Sequence, residues 1–331
     1  MNKEATIYVA GHRGLAGSAL VRALRRAGCE NLVLRSHADL DLTRQDRVES
    51  FFAQERPQQV YLAAAKAGGI LANATLPADF ISVNLRIQSN VIEAAHHHGV
   101  ERLLFLGSSC IYPRDCPQPI HEESLLMGPL EATNRPYALA KIAGIEMCWA
   151  YNRQFGTRFL AVMPTNLFGP GDHYDLQSSH VIPALLRKMH DAKLQGAAEV
   201  TIWGSGQPRR EFLYSDDMAE ACVFLMELPE QKFLPLVRST NEPPVINIGW
   251  GIDIRIRELA GLIATIVGYR GALAFDTTKP DGTPRKLLDT TRLQSLGWTP
   301  HTTLRSGLER AYAAFLQEHP TLEKQAQSDC A

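Results

Sequence analysis

The sequence lacks an excess of either charge, and this lack excludes several kinds of partner. Its 331 residues include 34 lysines and arginines against 35 aspartates and glutamates, which gives a formal net charge of −1. Proteins that bind nucleic acids or anionic membranes through electrostatics carry a basic excess, so we expect neither partner. The sequence also lacks any run close to the ~20 apolar residues of a transmembrane helix, so we expect no membrane span.

Cysteine is scarce, and the six cysteines are scattered along the chain. They form no Cys-x-x-Cys pair, and no histidines lie at zinc-ligand spacing, so the sequence predicts neither a disulfide framework nor a metal site. The residues after Met1 lead at once into a short apolar stretch and lack the long apolar region of a signal peptide. These features predict a cytoplasmic protein that binds no metal.

What the sequence contains is the composition of a folded globular protein, with 45% hydrophobic and 21% charged residues. This composition argues against a disordered chain, a collagen or a coiled-coil fibre. At roughly 150 residues per domain, the length predicts about two domains. The first half alternates short apolar runs with amphipathic stretches. We predict strands at 6–10, 31–35, 59–64, 102–107 and 158–163, and helices at 15–27, 78–98 and 137–155.

This alternation is typical of an α/β protein with a Rossmann-type, doubly wound parallel sheet. After residue 163 we predict helices at 179–194, 216–228, 256–267 and 304–316, a strand at 200–203, and a strand at 245–248 that returns to the sheet. We therefore expect an N-terminal dinucleotide-binding domain and a smaller C-terminal α/β substrate domain. The expected boundaries are 1–168, with elements near 214–250 returning to it, for the first domain, and 169–213 with 251–321 for the second.

A glycine-rich segment follows the first predicted strand and opens the first predicted helix. Gly11, Gly14 and Gly17 recur at every third position. Glycines with this spacing permit a tight turn, let the backbone approach a pyrophosphate at the helix N-terminus, and allow the helix to pack closely on the strand. The segment therefore predicts a dinucleotide site. Its candidate cofactor-binding residues are Gly11, His12, Arg13, Gly14, Leu15, Ala16 and Gly17.

The end of the second predicted strand helps to distinguish NADP from NAD. An acidic residue there binds the ribose 2′-hydroxyl of NAD, whereas an arginine pairs with the 2′-phosphate of NADP. This strand ends in Arg35, no acid follows it directly, and Arg13 lies in the glycine segment. NADP(H) is therefore the favoured cofactor. The alternative is that Asp39 or Asp41 binds the 2′-hydroxyl of NAD.

Tyr137 and Lys141 lie four positions apart on a predicted helix, so their side chains share one face, a turn apart. A nearby cation stabilises a phenolate, and such a pair can exchange a proton with a substrate oxygen near neutral pH. Ser108 follows the fourth predicted strand, where its hydroxyl can donate to the same oxygen. The three residues predict hydride-transfer chemistry beside a nicotinamide.

With these features in this order, the sequence resembles the extended short-chain dehydrogenase/reductase family over nearly its whole length. Within it, the sequence is similar to the GDP-L-fucose synthase family, the GDP-4-keto-6-deoxy-D-mannose 3,5-epimerase-4-reductases. Six segments carry this similarity: Gly-His-Arg-Gly at 11–14, Ala-Ala-Ala-Lys-Ala-Gly-Gly-Ile at 63–70, Gly-Ser-Ser-Cys-Ile-Tyr-Pro at 107–113, Pro-Thr-Asn-Leu-Phe-Gly-Pro at 164–170, Trp-Gly-Ser-Gly at 203–206, and Lys-Pro-Asp-Gly-Thr-Pro-Arg-Lys at 279–286.

The resemblance implies a bifunctional enzyme that epimerises GDP-4-keto-6-deoxy-D-mannose at C3 and C5 and then reduces C4 with NADPH to give GDP-L-fucose. Cys110 and His180 match the base and the acid of the epimerisation, and Ser108, Tyr137 and Lys141 match the reduction site. The residues matched to the nucleotide part of the substrate are Lys188, Trp203, Arg210 and Lys279. The further cofactor-binding residues are Arg35, His37, Asp41, Leu42, Ala64, Leu106, Gly107, Ser109, Pro164, Thr165, Asn166 and Leu167, together with Ser108, Tyr137, Lys141 and His180.

One position departs from the family pattern, because the family often has an additional arginine where this chain has His37. Recognition of the 2′-phosphate is therefore expected to depend more on Arg13 and Arg35. The resemblance also implies a homodimer that forms through the helices predicted at 78–98 and 137–155.

Two rival interpretations remain open from the sequence. A sugar-nucleotide 4,6-dehydratase or 4-epimerase shares the glycine segment and the Tyr-Lys pair. A dehydratase, however, has Thr-Asp-Glu where this chain has Ser108-Ser109-Cys110, and a 4-epimerase has no need of Cys110 and His180. A non-catalytic nucleotide sensor would keep the Rossmann scaffold, yet such proteins often lose the tyrosine or the lysine, and this chain has both.

Overall fold

The computed structural model describes residues 3–176, 178–279 and 281–320. The strands are β1 Ile7–Ala10, β2 Leu32–Val33, β3 Gln59–Leu62, β4 Arg102–Leu106, β5 Phe159–Pro164, β6 Asn166–Phe168, β7 Glu199–Trp203, β8 Arg209–Tyr214, β9 Val245–Ile248, β10 Asp253–Arg255, β11 Ala272–Asp276 and β12 Arg285–Lys286. The helices are α1 Leu15–Arg26, α2 Gln45–Glu55, α3 Ile70–Thr75, α4 Pro77–His97, α5 Arg135–Phe155, α6 Val181–Leu194, α7 Ser215–Glu227, α8 Glu230–Val237, α9 Ile256–Val267, α10 Thr291–Leu296 and α11 Leu304–Glu318.

The central sheet consists of parallel strands in the order β2-β1-β3-β4-β5-β9. The chain moves outward from β1 to β2 in one direction and from β3 to β5 in the other, so the strand order reverses beside β1. Ligands of such sheets bind at this switch point, beyond the carboxyl ends of the strands. The predicted Rossmann-type sheet is confirmed, and so is the return of the strand at 245–248, which is β9 beside β5.

Two apolar clusters cover the two faces of this sheet. Alternate residues of β1 belong to different clusters, Ile7 and Val9 to one and Tyr8 and Ala10 to the other, as the period of two in a strand requires. Helices α1, α7 and α8 pack in the first cluster, and α2, α4 and α5 pack in the second. Strands buried on both faces are apolar along their whole length, which is why the sequence pattern locates them.

Helix α5 carries the Tyr-Lys pair and lies close to β4. Its Gly144 permits this approach, because a Cβ there would lie 2.4 Å from the ring of Phe105. The helix has Pro136 in its first turn, where a proline needs no backbone hydrogen bond. It ends at Gly156, whose φ of 68° is the left-handed conformation that glycine adopts without strain. The first half of α5 lies near the carboxyl end of β4, because Lys141 donates to the Leu106 carbonyl.

The second half of the chain forms smaller sheets around a third apolar cluster. Strand β8 pairs with β6 and β12 in parallel and with β10 antiparallel, and β7 pairs with β11. Helices α6, α9 and α11 cover these strands, with Leu186, Met189, Ile263 and Phe315 fully buried among them. None of the described helices is both long and apolar enough to cross a bilayer.

A buried polar network joins β9 to the segment that leads away from β12. The Asn247 side chain accepts a hydrogen bond from the Tyr112 hydroxyl at 2.6 Å and donates to the carbonyls of Ile120 and Asp289, each at 3.0 Å. The Asn247 backbone N–H donates to the Glu122 carboxylate at 3.0 Å. Because every polar atom of the buried asparagine side chain is paired, this network fixes its partners firmly. It holds the residues after β12 against the loop that follows β4.

Asp253 lies buried between arginines of two neighbouring strands. Its carboxylate accepts hydrogen bonds from the Nε of Arg209 at 2.6 Å and from the Nε of Arg285, and its side chain is 4% exposed. Burial raises the pKa of the Asp253 carboxyl, but the two arginines together lower it further, so this pKa lies below its ordinary value. The carboxylate thus binds β8, β10 and β12 to one another.

We expect Asp253→Asn to lower the free energy of unfolding by about 1–3 kcal/mol at neutral pH, because the arginines lose a charged buried acceptor. The folded-state pKa is depressed, so this stabilisation is complete above the ordinary aspartate pKa of about 3.9 and is lost as the pH falls through the folded-state value. Urea unfolding at a series of pH values measures the difference. Glu309→Gln, at an exposed pair with Arg305, should change stability by less than about 0.5 kcal/mol. Equal losses in the two variants would contradict the role of Asp253.

Candidate active site

The glycine segment lies at the carboxyl end of β1, where two of its glycines are required by packing within the protein. Gly11 has a φ of 84°, and a Cβ there would lie 2.7 Å from the backbone of Ala64, just after β3. A Cβ on Gly17 would lie 2.0 Å from the carbonyl oxygen of Gly11. These two glycines therefore bring the ends of β1 and β3 and the first turn of α1 together.

Gly14 differs from them because its side-chain position is open. It is the N-cap of α1 in an extended conformation, and the nearest atom to an added Cβ is the Gly11 carbonyl oxygen at 3.6 Å, an ordinary contact. The free backbone N–H groups at the start of a helix bind phosphate oxygens, and the first turn of α1 contains no acidic residue. The open space in front of this helix therefore fits the pyrophosphate of a dinucleotide.

We expect Gly14→Ala to fold normally and to bind NADPH about tenfold more weakly, a loss of about 1.4 kcal/mol, because the methyl group fills the space for the pyrophosphate. Gly17→Ala should instead lower the melting temperature, because its methyl group collides with the protein backbone. Calorimetric titration with NADPH and thermal unfolding separate the two effects. Unchanged NADPH affinity in the Gly14 variant would remove the pyrophosphate from this position.

His12 contributes a buried polar atom to the same loop. Its Nδ1 has no hydrogen-bond partner among the described residues. Burial lowers the pKa of the His12 ring, and the charge of Arg13 lowers it further, so the ring is neutral at pH 7. Buried polar atoms are normally paired. An unpaired ring nitrogen beside an open helix N-terminus fits a site that accepts a polar ligand atom.

The residues after β2 form the region expected to face the adenosine ribose. Arg35 donates to Glu55 at 2.6 Å and lies over the ring of Phe51, so its guanidinium is already paired. Asp39 accepts from the Ser36 hydroxyl at 2.5 Å, and this contact, with smaller effects of Arg13 and Arg35, lowers the pKa of Asp39. Both arginines are thus near this loop. The pairing of Arg35 with Glu55 is a feature that the sequence pattern does not reveal.

The acidic alternatives near the ribose region are held by local hydrogen bonds. Asp41 accepts from the backbone N–H of Thr43 at 2.9 Å and from its hydroxyl at 2.8 Å, and His37 lies 3.9 Å from the same carboxylate oxygen. The Asp39 carboxylate is bound to Ser36 in the same way. In each carboxylate these bonds engage one oxygen, Oδ1 in Asp41 and Oδ2 in Asp39.

The other residues matched to the cofactor follow the carboxyl ends of successive strands. Leu42 lies in the loop between β2 and α2, where its carbonyl accepts from Asn90 at 2.8 Å. Gly107 follows β4, and a Cβ there would lie 2.1 Å from the Met163 side chain. The rest of this group consists of Ala64 after β3, Leu106 and Ser109 at the end of β4 and just beyond, and Pro164, Thr165, Asn166 and Leu167 from the end of β5 into β6. All of them line one edge of the central sheet.

Tyr137 and Lys141 share one face of α5, as the spacing predicts. The Lys141 Nζ lies 5.9 Å from the centre of the Tyr137 ring and donates to the carbonyl of Leu106 at 2.7 Å. Burial lowers the pKa of Lys141 to about 8, an effect that the neighbouring Cys110 partly offsets. Burial raises the pKa of the Tyr137 phenol, and Cys110 raises it further. At neutral pH the phenol is therefore protonated and able to donate.

Cys110 lies in a 3-10 turn that directly follows the loop after β4. The Ser108 hydroxyl caps this turn and accepts from the Cys110 backbone N–H at 3.4 Å. Cys110 is 8% exposed, and burial raises the pKa of its thiol, whereas Lys286, Ser108 and Lys141 each lower it by a smaller amount. The structure therefore brings Ser108, Cys110, Tyr137 and Lys141 together at the end of β4. Lys286, in the 279–286 segment, is a further charged group that acts on this thiol.

His180 is the N-cap of α6, and its side chain is accessible to solvent. Desolvation by the protein atoms around the ring, and secondly the ring of His173, lower the pKa of His180. The loop before it is anchored to the start of α3, because the N–H of its N-cap residue Gly69 donates to the Ser178 carbonyl at 3.0 Å. Among the described residues, no hydrogen bond joins His180 to Cys110. The imidazole precedes α6, and the thiol lies in the turn after β4.

A second group of matched residues surrounds an exposed indole. Trp203 is 55% exposed, and the Nζ atoms of Lys188 and Lys279 lie 5.5 and 5.6 Å from its ring centre. Burial lowers the pKa of Arg210, and Asp281 opposes this shift. Asp281 also fixes the turn after Trp203, since it accepts from the Ser205 N–H at 2.7 Å and hydroxyl at 2.8 Å. Asp281 and Lys286 both lie within the 279–286 segment, which is the one sequence signal that leads to them.

Comparisons with known proteins agree with this geometry. Residues 7–249 match the sequence model of the family described as "NAD dependent epimerase/dehydratase family". The chain is 57% identical to GDP-L-fucose synthase 1 of Arabidopsis thaliana, over 96% of this chain and 94% of that protein. It is 54% identical to GDP-L-fucose synthase of Escherichia coli, over 96% and 98% of the two chains. It also resembles the structure of a GDP-L-fucose synthetase from Naegleria fowleri bound to NADP, with a TM-score of 0.86 at 26% identity, over 98% and 97% of the two chains.

Proposed function

The chain belongs to the NAD-dependent epimerase/dehydratase family, and from that premise we propose that it is a GDP-L-fucose synthase. It epimerises GDP-4-keto-6-deoxy-D-mannose at C3 and C5 and reduces the C4 ketone. Its cofactor is NADP(H). The observation that carries the proposal is the convergence of Ser108, Cys110, Tyr137 and Lys141 at the end of β4, in a chain similar over its whole length to GDP-L-fucose synthases.

The epimerisation uses the thiol and the imidazole. The C4 ketone makes the protons on C3 and C5 acidic, because the electron pair of a broken C–H bond is delocalised onto the C4 oxygen as an enolate. Cys110, as its thiolate, removes the proton from one face of the sugar. His180 returns a proton to the same carbon from the opposite face, which inverts the centre. Thiols and imidazoles are side chains suited to such exchange; burial raises the pKa of the Cys110 thiol and lowers the pKa of the His180 ring.

The reduction uses the residues on β4 and α5. When bound, NADPH supplies the hydride that adds to C4. The Tyr137 phenol then gives its proton to the developing C4 alkoxide, and the Ser108 hydroxyl donates a hydrogen bond to the same oxygen. Lys141 stabilises the phenolate that remains and, from its place beside the Leu106 carbonyl, also holds the cofactor ribose.

The GDP group of the substrate and the cofactor NADP are assigned to two different sets of residues. We assign the GDP group to Trp203, Lys188, Lys279 and Arg210, because an indole face suits a flat ring and cations suit a diphosphate. The residues that would hold NADP are those of the glycine segment, with Arg13 and Arg35 at the 2′-phosphate. The open helix N-terminus at Gly14 and the unpaired Nδ1 of His12 fit this assignment.

We also propose the domain division, assembly and location of the protein. Residues 1–168, with the segment near 214–250, form the NADP-binding domain, and 169–213 with 251–321 form the substrate domain; residues 1, 2, 177, 280 and 321 lie outside the described part. The protein pairs as a homodimer through α4 and α5, and the exposed Leu139 and Phe155 on α5 support this interface.

The cysteines in the described ranges are all free thiols, which supports a reducing, cytoplasmic location. Analytical ultracentrifugation tests the dimer.

The function is tested by incubating the purified protein with GDP-4-keto-6-deoxy-D-mannose and NADPH. We expect one NADPH to be oxidised for each molecule of GDP-L-fucose formed, with the product identified by NMR. A redox-neutral epimerase or dehydratase restores its cofactor in each cycle and would consume no NADPH. NADPH consumption with a product that keeps the original C3 and C5 configurations would leave a simple C4 reductase and contradict the epimerase activity.

A further inference from the structure

Three side-chain oxygens near the candidate active site are buried, and none of them has a hydrogen-bond partner among the described residues. They are Asn73 Oδ1, Asn134 Oδ1 and Ser179 Oγ, and the steps above give them no role. Buried polar atoms are normally paired, because leaving one unpaired costs free energy. An unpaired oxygen beside a binding site therefore indicates a ligand group that completes the pairing.

Asn73 is joined to the phenol of the reduction site through one aromatic ring. Its Nδ2 donates to the carbonyls of Gly68 at 2.8 Å and Gly69 at 3.0 Å. A Cβ on Gly68 would lie 3.2 Å from the Cζ atom of Phe80, and the Phe80 ring packs edge-to-face on Tyr137, with the ring centres 6.2 Å apart. The two bonds to carbonyls also fix the orientation of the amide, since only its nitrogen can donate. The unpaired atom is therefore an acceptor.

Ser179 directly precedes His180, and its loop is held against the same pair of glycines. The Gly69 N–H donates to the Ser178 carbonyl at 3.0 Å. A Cβ on Gly69 would lie 3.0 Å from the carbonyl oxygen of Ser179. Asn73 and Ser179 are therefore both in contact with Gly69, the first through its side chain and the second through the backbone of its loop.

Asn134 lies one helical turn before Tyr137. It is the N-cap of α5, yet its side chain makes no capping hydrogen bond. An asparagine at this position usually accepts from the second or third N–H of the helix, and the second residue here is Pro136, which has no N–H. The 3-10 turn Ala132–Asn134 packs against α3, which carries Asn73. The start of α5, α3 and the loop before α6 therefore meet on one side of the candidate active site.

We propose that Asn73, Asn134 and Ser179 bind the C2 and C3 hydroxyl groups of the hexose. The two amide oxygens accept hydrogen bonds from these hydroxyls, and the Ser179 hydroxyl, which can donate and accept, bonds to one of them. A phosphate needs donors, so two unpaired acceptors argue against an anion here. The identity of the sugar rests on the proposed function, whereas the binding of a GDP-hexose requires no turnover.

The assignment is tested by calorimetric titration of the NADP-loaded protein with GDP-mannose and with GDP, which lacks the sugar. We expect Asn134→Ala and Ser179→Ala each to bind GDP-mannose about fivefold more weakly than the parent protein, as for the loss of one hydrogen bond. Both should bind GDP within about twofold of the parent value. Ser179→Thr keeps the hydroxyl and should keep the affinity for GDP-mannose. Asn241→Ala and Ser50→Ala, on the exposed surface, should match the parent protein with both ligands.

A GDP-hexose without the C2 hydroxyl identifies the group that is bound. The parent protein should bind GDP-2-deoxymannose about fivefold more weakly than GDP-mannose. In at least one of the two alanine variants this difference should disappear, because the partner of the hydroxyl is already missing. A difference of the same size in the parent protein and in both variants would contradict the assignment of the C2 hydroxyl to these residues.

Equal losses for GDP-mannose and GDP in the alanine variants, or no loss with either ligand, would overturn the proposal, since the oxygens would then bind only ordered water or support the fold. Circular dichroism and NADPH binding verify the fold of each variant. If Asn134→Ala is misfolded, Ser179→Ala decides, because it removes a single oxygen. Losses confined to GDP-mannose in a protein that makes no GDP-L-fucose would uphold the sugar site while contradicting the proposed function.

Discussion

Replacing Tyr137 with phenylalanine is expected to lower the rate of C4 reduction by about 10³-fold, within the range for loss of a general acid. The phenylalanine ring keeps the edge-to-face contact with Phe80, whose ring centre is 6.2 Å away, so the fold of α5 should persist. What disappears is the proton that the alkoxide at C4 needs. Burial raises the pKa of this phenol, so the tyrosine holds that proton throughout the neutral range.

The measurement that separates this role from a structural one follows two signals in the same sample. NADPH absorbance reports the reduction, and loss of the C3 and C5 proton signals in D₂O reports the epimerisation. The Tyr137→Phe substitution should leave deuterium exchange and NADPH binding within about twofold of the parent values. Tyr151→Phe removes a phenol from the same helix, away from β4, and should reduce C4 at the parent rate. A Tyr137 variant that reduces C4 as fast as the parent protein would exclude the phenol as the acid.

The central sheet could be predicted from the sequence because its strands are buried on both faces. Each is a short apolar run, and the bounds of β1, β3, β4 and β5 agree with the predicted runs to within two residues at each end. The predicted strand at 31–35 is shortened to Leu32–Val33, which pairs with only one neighbour at the edge of the sheet. At an edge, fewer contacts hold the strand, so apolar composition alone overstates its length.

The strands of the second sheet are harder to predict because their burial depends on distant partners. Strand β8 begins Arg209-Arg210-Glu211, which reads as an exposed charged segment. The Glu211 side chain is nevertheless buried, because it accepts from the backbone N–H groups of Gly251 at 2.7 Å and Leu288 at 3.0 Å. Arg209 is held by Asp253 in the same manner. Local periodicity contains no information on such pairing between residues that are far apart in the chain.

The same distinction applies within the candidate site. Tyr137 with Lys141, and the three glycines after β1, are local patterns whose geometry follows from helix and turn rules. Lys286 lies opposite Arg210 only because β12 pairs with β8, a contact between residues about 75 positions apart in the chain. The pairing of Arg35 with Glu55 likewise needs α2 to pack beside β2. For a site built from several strand ends, the sequence therefore predicts the local motifs. It does not predict the charge pairs between residues that are far apart in the chain.

Replacing Cys110 with alanine is expected to slow deuterium exchange at C3 and C5 by about 10³-fold, because the variant lacks the thiol that removes those protons. The described cysteines other than Cys110 and Cys116 are Cys29, Cys148 and Cys222, which are buried in the two clusters of the central sheet. The alanine leaves α5 and the Tyr137 hydroxyl unchanged. NADPH affinity should therefore stay within about twofold of the parent value.

The Cys110 and Tyr137 variants should lose different reactions, so the two results together test the separate roles of the thiol and the phenol. The Tyr137 variant exchanges deuterium without reducing C4, whereas the Cys110 variant has lost exchange. Cys116→Ser, in the loop that follows the same turn, is the matched thiol control and should exchange at the parent rate. If the Cys110 variant exchanges normally, another base removes the protons. If both variants lose exchange and reduction together while still binding NADPH, the two reactions depend on one shared arrangement of groups, and separate roles for the thiol and the phenol would be wrong.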